Sequence, residues 1–402
     1  MRWLIVEDAL RDKRGHWFEY IRTFRNGVLQ LGDEVTILSD RNAEPFIKDQ
    51  LAAHAVLPSS IWHRMNDGAG LLLRYLRLPV HAWQTRQCMR NWFKKHDDYD
   101  IIFVPTVSVH HLLGWYWIIR DLRRKKHVRI LLYFLSLPIK TTGNGEPYWA
   151  GSPTTHLIRW LFKRLQGLIT SGRVILGVET EQLKRALETL AGVPVCHLAQ
   201  PVEIFAQGAV SQSDGLLMAC YGGARCEKGS ELLQLAIAKY IDLYPQSRAR
   251  FAIQWVEDFQ NEQGAWVRID QTLEKNKRVQ FIREFFKEAE YARWMGETQV
   301  MLVPYQRSSY KLRGSRVVIE AMVHGIPVIT TRGTTLADQT EKFGSVVFCE
   351  DGDIATVVDA IRTMEQNFLQ LKVRAEQQKV KAREYFSVSE FRKTITVGIK
   401  MI

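Results

Sequence analysis

Short runs rich in β-branched residues alternate with helix-length segments along the whole chain, and no other feature limits its fold as strongly. Six such runs lie in the first half, at 2–8, 34–39, 100–106, 128–135, 173–179 and 194–200. After Gly215 the alternation restarts with six more, at 216–222, 250–256, 278–284, 300–305, 328–331 and 345–350. Because strands separated by helical crossovers pair in parallel, the sequence predicts two successive doubly wound α/β domains.

A stretch with little periodicity, 201–215, separates the two series and is predicted to be a linker. We therefore expect an N-terminal Rossmann-like domain over 1–200 and a C-terminal one over 216–385. A last helical segment, 386–402, is expected to pack back on the first domain. Doubly wound sheets bind ligands at the carboxyl ends of their strands, so two such domains predict a cleft between their facing rims.

The composition is that of a soluble globular protein, with 46% apolar and 24% charged residues in a chain of 402. No apolar run reaches the ~18 residues of a membrane span, and the chain opens on a strand pattern in place of a signal sequence. The five cysteines are scattered without a CxxC pair, which favours reduced thiols in the cytosol.

The segment 310–331, YKLRGSRVVIEAMVHGIPVITT, is typical of a loop, a short helix and a strand. Ser315 is predicted to cap a helix over 316–324, Gly325 ends it, and a β-branched strand follows Pro327. The loop residues Arg313 and Gly314 therefore bring a guanidinium and backbone N–H groups to a helix N-terminus, which suits a phosphate.

Glu320 lies one turn inside this helix among apolar residues. A buried carboxylate is costly unless it is paired, and the two hydroxyls of a ribose are a natural partner. A second interpretation is a surface ion pair between Glu320 and Arg316, which are four residues apart.

A glycine-rich turn, Gly222-Gly223-Ala224-Arg225-Cys226-Glu227-Lys228-Gly229, follows the first strand of the second series and precedes a helix from about residue 230. The glycines permit a tight turn, and Arg225 and Lys228 direct two cations toward the predicted cleft. A structural turn with two solvated cations is the alternative.

Together these segments resemble the glycosyltransferases of the GT-B fold, and among them family 4, the retaining enzymes that use nucleotide-sugar donors. The sequence EAMVHGIPV at 320–328 is similar to the family's EA-x-x-x-G-x-P-V, and the layout of two Rossmann-like domains covers nearly the whole chain. The resemblance implies donor binding by the second domain, acceptor binding by the first, and no cofactor or essential metal.

Residue roles follow from the resemblance. It implies that Arg225 and Lys228 bind the diphosphate and that Glu320 binds the ribose, with Tyr310, Arg313, Gly314, Ser315 and Arg316 completing the donor site. Two positions depart from the family. Leu312 stands where many members have a glutamate, and Arg225 lies two places after the usual arginine position.

The first domain offers weaker candidates. The loop after its opening strand contains Arg14, Gly15 and His16, where the family has a glycine-containing loop. We expect these residues to contact the acceptor, with His16 a candidate catalytic residue, although a packed or capping histidine is an alternative. His110, next to His111, is a further acceptor-binding candidate. Metal-ligand patterns are poor, because the acidic groups 97–100 and 350–353 are typical of turns.

The charge is unevenly distributed. Segment 61–173 has 18 basic and 6 acidic residues, which accounts for the whole formal net charge of +12, and it contains seven of the twelve tryptophans. Cations interleaved with aromatics on amphipathic helices suit an anionic membrane surface. Nucleic acid is the competing partner, and a solvated basic face is the simplest alternative.

The sequence therefore predicts a cytoplasmic, peripheral enzyme at the inner face of a membrane. It would move a sugar from a nucleoside-diphosphate sugar to a glycan or lipid-linked glycan acceptor in surface polysaccharide synthesis, with retention and without nucleic acid as a partner. A catalytically inactive GT-B-like scaffold or binding protein at the membrane is the alternative, because Leu312 replaces the family's glutamate.

Overall fold

Parallel strands form the centre of both units of the chain. The computed structural model describes residues 1–13, 17–61, 71–96, 98–125, 127–205 and 215–398. The first unit comprises Met1–Pro201 with Ser387–Ile402, and the second comprises Val202–Phe386.

The first unit is built on a seven-stranded sheet in the order β3-β2-β1-β4-β5-β8-β9. Its strands are β1 (Arg2–Val6), β2 (Glu34–Asp40), β3 (Ala53–Leu57), β4 (Ile101–Val104), β5 (Arg129–Phe134), β8 (Val174–Val178) and β9 (Cys196–His197), with a separate hairpin of β6 (Ile139–Thr141) and β7 (Pro147–Trp149). Its helices are α1 (Trp17–Gln30), α2 (Pro45–Leu51), α3 (Leu71–Phe93), α4 (Val109–Asp121), α5 (Pro153–Thr170), α6 (Glu181–Ala191) and the last helix, α15 (Val388–Gly398).

The last helix, α15, belongs to this first unit. Phe391 lies with its ring centroid 5.1 Å from that of Phe24 on α1, inside a core cluster that also contains Trp3 and Phe103. Arg392 binds both carboxylate oxygens of Asp33, at 2.7 and 2.9 Å. Apolar packing and a two-point ion pair therefore hold the end of the chain on its beginning.

The second unit has a six-stranded sheet in the order β14-β11-β10-β15-β16-β17. Its strands are β10 (Leu217–Cys220), β11 (Arg250–Gln254), β14 (Val279–Ile282), β15 (Val300–Val303), β16 (Val328–Thr331) and β17 (Val346–Cys349), with a hairpin of β12 (Phe259–Gln260) and β13 (Trp266–Val267). Its helices are α7 (Ser230–Leu243), α8 (Gln271–Glu274), α9 (Glu288–Glu297), α10 (Arg307–Tyr310), α11 (Arg316–Val323), α12 (Thr335–Phe343), α13 (Ile354–Gln366) and α14 (Phe368–Tyr385).

All twelve strand runs read from the sequence contain a strand, each at or inside the expected bounds apart from a one-residue extension of β2 to Asp40. Three features were not anticipated: β3 and the two hairpins. The sequence of β3, AHAVL, has only one β-branched residue, and the hairpin strands are two or three residues long. Such short or alanine-containing strands depend on tertiary pairing more than on local propensity.

The segment after Pro201 begins the second unit. Phe205 stacks on His324 with ring centroids 5.5 Å apart, so the predicted linker starts as packed chain. Its positions 206–214 lie outside the described residues.

Both sheets have a point at which the strand order reverses. In the first unit β1 is followed by β2 on one side and later by β4 on the other, and in the second unit β10 is followed by β11 on one side and later by β15 on the other. Crevices at such switch points are where open parallel sheets bind ligands. Among the helices that the structure describes, none is long and apolar enough to cross a bilayer.

Candidate functional site

The glycine-rich turn and the 310–315 loop meet at the switch point of the second unit. They follow the neighbouring strands β10 and β15, whose carboxyl ends share one edge of the sheet. The backbone N–H of Gln306 donates to the carbonyl of Glu227 over 3.0 Å. The two predicted parts of the donor site are therefore adjacent.

Glycine is needed at two positions of the turn. Gly222 has φ +80° and Gly229 has φ +63°, both in the left-handed region. A Cβ at residue 222 would overlap with Nζ of Lys228, and one at residue 229 would overlap with the carbonyl of Pro304. The turn is thus shaped around the Lys228 ammonium on one side and the end of β15 on the other.

Lys228 is a buried cation, with 7% of its surface exposed. Burial, reinforced by the nearby Arg225, lowers its pKa to about 8. Within the described ranges Lys228 makes no ion pair with a carboxylate, and its Nζ lies 5.8 Å from the ring centroid of Tyr305. An unpaired ammonium in such a place favours an anion as its ligand.

Arg225 and Arg313 surround this ammonium with further positive charge. Both lower the pKa of Lys228, and both act on the pKa of Tyr310, which burial raises. The Arg225 side chain is 54% exposed and lies 3.4 Å from Glu227, whereas the Arg313 guanidinium stacks 5.2 Å from the Tyr310 ring centroid. Three cations therefore gather at one edge of the sheet.

Helix α11 begins at Ser315 as expected, but the serine does not cap it with its side chain. Ser315 is extended at φ −141° and makes no side-chain capping hydrogen bond. Its carbonyl accepts from the N–H groups of Val318 and Ile319, both at 3.1 Å. Gly314 precedes it as a half-buried loop residue, and Gly325 ends the turn after the helix with φ +66°.

Glu320 is buried as predicted, with 2% of its surface exposed, and its partners are protein groups. Nε of Arg316 donates to Oε1 over 2.8 Å, and the hydroxyl of Tyr291 donates to Oε2 over 2.5 Å. The ion pair between Arg316 and Glu320 that the sequence suggested is therefore present, but it is buried and is not the surface pair of that alternative. Each carboxylate oxygen of Glu320 thus accepts a hydrogen bond from a protein side chain, and one of these donors is Arg316.

Tyr291 is the site residue that the sequence did not indicate. It lies 29 positions before Glu320 on α9, and burial, together with the Glu320 charge, raises its pKa well above the usual value. A lone tyrosine on an amphipathic helix carries no local signal of such a contact. His324, also unforeseen, donates from Nδ1 to the Glu320 carbonyl over 2.7 Å and accepts from the Phe205 N–H at Nε2 over 3.0 Å.

The first unit holds a second polar cluster at its own switch point. Asp8 follows β1, and Ser108, His110 and His111 follow β4. Nε2 of His111 lies 3.0 Å from Oδ2 of Asp8, and Nε2 of His81 on α3 lies 2.9 Å from the same oxygen. All three histidines and Asp8 are at most 6% exposed.

His110, the acceptor-binding candidate from the sequence, is buried at this switch point, and its role at an acceptor stays a prediction. It is 4% exposed, and its Nδ1 lies 2.8 Å from the Ser108 hydroxyl. The other first-domain candidates, Arg14, Gly15 and His16, lie outside the described residues.

Charges in this cluster compensate one another. Burial raises the pKa of Asp8, but His111 and His81 overcome that effect and hold it well below its usual value. Burial lowers the pKa of His111, but the Asp8 charge raises it overall. Burial and the nearby His111 lower the pKa of His110, whereas burial and Asp8 raise the pKa of Glu7 to about 7.

The basic and aromatic segment 61–173 is only partly a surface. Trp83 is 54% exposed and Trp160 is 44% exposed, while Trp115 is 1% exposed and belongs to the core. Leu76 and Val80 share the outer face of α3 with Trp83, at 56% and 54% exposure. Trp62 lies outside the described residues.

The sequence of the second unit matches a family model. Residues 218–367 match the model described as glycosyl transferases group 1. These residues form a group 1 glycosyl transferase domain. The matched range contains the glycine-rich turn, the 310–315 loop and helix α11. A comparison with proteins of curated annotation found no match.

Solved glycosyltransferase structures share the architecture of the whole chain, including this group 1 domain. Sucrose-phosphate synthase from Thermosynechococcus elongatus is 16% identical with a TM-score of 0.63, and the alignment covers 99% of this chain and 98% of that one. A glycosyltransferase from Rickettsia africae is 11% identical with a TM-score of 0.67, covering 98% and 97%. HepE from Anabaena, in complex with UDP-glucose, is 12% identical with a TM-score of 0.64 and full coverage of both chains. The chain thus has the GT-B fold.

Proposed function

We propose that this protein is a glycosyltransferase that binds a nucleoside-diphosphate sugar at the switch point of its group 1 domain. The observation that carries the proposal is Lys228, a buried ammonium without a carboxylate partner among the described residues, with Arg225 and Arg313 beside it. A diphosphate supplies the negative charge that these three cations need. HepE, one of the similar structures, was solved with UDP-glucose.

The three cations also suit the chemistry of transfer. The bond between the anomeric carbon and the β-phosphate oxygen breaks, and the electron pair stays on the nucleoside diphosphate. Fixed positive charge at that oxygen stabilises the leaving group. Because this charge comes from Arg225, Lys228 and Arg313, the proposed donor site needs no metal ion or other cofactor.

The proposed transfer retains the anomeric configuration. Glu320, the buried carboxylate of this site, is occupied by Arg316 and Tyr291, which does not suit a nucleophile. In the proposed step the acceptor oxygen bonds to the anomeric carbon on the face that the phosphate leaves, and the acceptor proton passes to a phosphate oxygen. The acceptor is a glycan or a lipid-linked glycan in surface polysaccharide synthesis.

We propose that Glu320 binds the ribose after one of its present hydrogen bonds, the one from Arg316, is broken. A ribose hydroxyl that displaced Nε of Arg316 from Oε1 would preserve a hydrogen bond to the carboxylate. The released guanidinium would then add a fourth cation near the diphosphate. Tyr310, Gly314 and Ser315 complete the proposed donor site, as the family resemblance implies.

A donor panel tests the proposal. Incubation of the protein with UDP-, GDP- and ADP-sugars should yield nucleoside diphosphate from one of them, and proton NMR of the released or transferred sugar should show the donor's anomeric configuration. Lys228→Ala should abolish turnover, whereas Lys239→Ala, an exposed lysine on α7, should not. Donor binding without turnover by any acceptor glycan tried would favour the alternative, an inactive GT-B-like binding protein.

We also propose that the outer faces of α3 and α5 dock on an anionic membrane at the cytoplasmic face. Leu76, Val80 and Trp83 form an exposed apolar stripe on α3. On α5 the guanidinium of Arg164 lies 5.3 Å from the Trp160 ring centroid, a combination of aromatic and cation that suits an interface of anionic lipids. A lipid-linked acceptor would be met at such a surface.

Sedimentation with phosphatidylglycerol vesicles tests this docking. The wild type should bind in a salt-sensitive way, and Trp83→Ser should weaken binding. Trp266→Ser, which removes a tryptophan that is 62% exposed in the other unit, is the matched control and should bind like the wild type. Equal binding of both variants, or binding to duplex DNA in place of vesicles, would refute the membrane proposal.

A further inference from the structure

The side chains of Asp8, His110 and His111 converge at the switch point of the first unit. One ligand atom of each, two imidazole nitrogens and a carboxylate oxygen, lies within 4.8 Å of the other two. All three residues are buried, at 4–6% exposure. A set of two imidazoles and a carboxylate is typical of zinc, whereas magnesium and calcium prefer oxygen ligands alone.

Ser108 holds both imidazoles through the same ring atom. Its hydroxyl lies 2.8 Å from Nδ1 of His110 and 3.1 Å from Nδ1 of His111. The backbone N–H of Ser108 also donates to Nδ1 of His111 over 3.2 Å. A histidine that ligates a metal donates the N–H of its other ring nitrogen. At His111 Nδ1 instead accepts the Ser108 N–H, so Nε2 must give up its proton to bind an ion. For His111 the other nitrogen, Nε2, is the one beside Asp8.

His81 is the second, independent observation. Its side chain is buried, and Nε2 lies 2.9 Å from Oδ2 of Asp8. Nevertheless, neither ring nitrogen has hydrogen-bond geometry to any residue that the structure describes. A buried imidazole without hydrogen bonds is costly. The unsatisfied Nε2 of His81 therefore lies beside the carboxylate that would bind the ion.

We propose that Asp8, His110 and His111 bind a divalent transition-metal ion with zinc chemistry. The ion would tie the loop after β1 to helix α4, at the crevice where a sheet of this topology binds its ligand. This inference concerns the first unit and does not rest on the proposed donor site.

Metal analysis of protein purified without a histidine tag tests the inference. After removal of loose metal, the wild type should retain about one zinc per chain, and cobalt substitution should produce visible d–d absorption of a site with nitrogen and oxygen ligands. Asp8→Asn and His110→Gln should each lower zinc affinity by more than about tenfold. His156→Gln, an exposed histidine on α5, should bind like the wild type.

A melting experiment on the wild type covers the case in which the cluster variants do not fold. Added zinc should raise the melting temperature and a strong chelator should lower it, since a metal bound only by the folded state stabilises it. A wild type that retains no zinc and melts identically with zinc and with chelator would overturn the inference, as would an Asp8→Asn variant that binds zinc as tightly as the wild type. The cluster would then be a hydrogen-bonded network only.

Discussion

The ammonium of Lys228 occupies the space into which a Cβ at Gly222 would project. Gly222 also has φ +80°. Its lack of a side chain and its left-handed backbone therefore both allow a buried cation at the carboxyl edge of the sheet. The glycine-rich turn is therefore the part of the donor site that substitution should disturb most sharply.

Gly222→Ala should destabilise the fold by about 1–2 kcal/mol, because an L-residue is strained in the left-handed region, and should weaken UDP binding by displacing Lys228. Gly223→Ala is the matched control, since a Cβ there meets no atom within 4 Å. Urea unfolding and calorimetric titration measure the two effects. If both alanine variants bound UDP equally well, Lys228 would not be the anion-binding group.

The affinity for UDP should fall as pH rises through the pKa of Lys228, about 8. The phosphates are already ionised above pH 7, so the change comes from loss of the ammonium. We expect a decrease of about tenfold between pH 7 and pH 9. Lys228→Met should remove this dependence, and a wild-type affinity that stayed constant over this range would contradict the assignment.

The pKa of Lys228 also makes the stability of the unliganded protein depend on pH. This stability should rise with pH, whereas the affinity for UDP should fall. Folding lowers the pKa of Lys228 below the usual value, so between about pH 8 and pH 10 the unfolded chain binds the extra proton and stability rises with pH. Urea unfolding at several pH values should show this rise in the wild type and not in Lys228→Met. A Lys228→Met variant with the wild-type slope would disprove it.

Removing either partner of the ion pair between Arg316 and Glu320 should lower the stability of the fold, because the remaining partner would be left as an unpaired charge at a site where Glu320 is only 2% exposed. Arg316→Met and Glu320→Gln should each destabilise by about 3 kcal/mol, and the double variant by much less than the sum. Arg293 and Glu297 have the same order and spacing but lie on the surface, so the equivalent changes there should cost less than about 0.5 kcal/mol. Additive effects at Arg316 and Glu320 would show that the two side chains do not interact.

Asp33 should make the attachment of α15 sensitive to acid. Burial raises its pKa, but Arg392, the N-terminal ammonium and Trp3 lower it overall to about 2. Because the folded pKa lies below the unfolded one, the stabilisation is complete above about pH 4 and is lost as pH falls toward 2.

Asp33→Asn should therefore lower the free energy of unfolding by about 1–2 kcal/mol at pH 7 and expose α15 to proteases, with a difference that shrinks as the pH approaches 2. Asp49→Asn, an exposed position on α2, serves as the control. Equal protease resistance of the two variants would contradict this role of Asp33.

The sequence predicted the parallel sheets because buried parallel strands are continuous apolar runs that local composition reveals. Strand β3 and the two hairpins were not predicted, because their pairing is decided by tertiary contacts. The glycine-rich turn and the 310–315 loop could be found for a local reason too: glycines at left-handed positions, cations two or three positions apart and a helix start are visible in a few residues.

Long-range contacts could not be read in this way. The sequence indicated that Glu320 is buried, but its bond to Tyr291 joins two helices, α9 and α11, that are separated along the chain by strand β15, helix α10 and a loop. Asp8 and His110 were likewise brought together by the strand order, since β1 and β4 are neighbours although about a hundred residues apart. His110 consequently lies close to a buried aspartate.

Calorimetric titration with UDP, GDP and ADP, on the wild type and on Lys228→Ala, tests whether Lys228 binds the diphosphate of the donor. One of these nucleoside diphosphates should bind the wild type and Lys239→Ala equally, and Lys228→Ala should bind it more than about tenfold more weakly. Failure of all three to bind the wild type, or equal binding by Lys228→Ala, would contradict this role of Lys228.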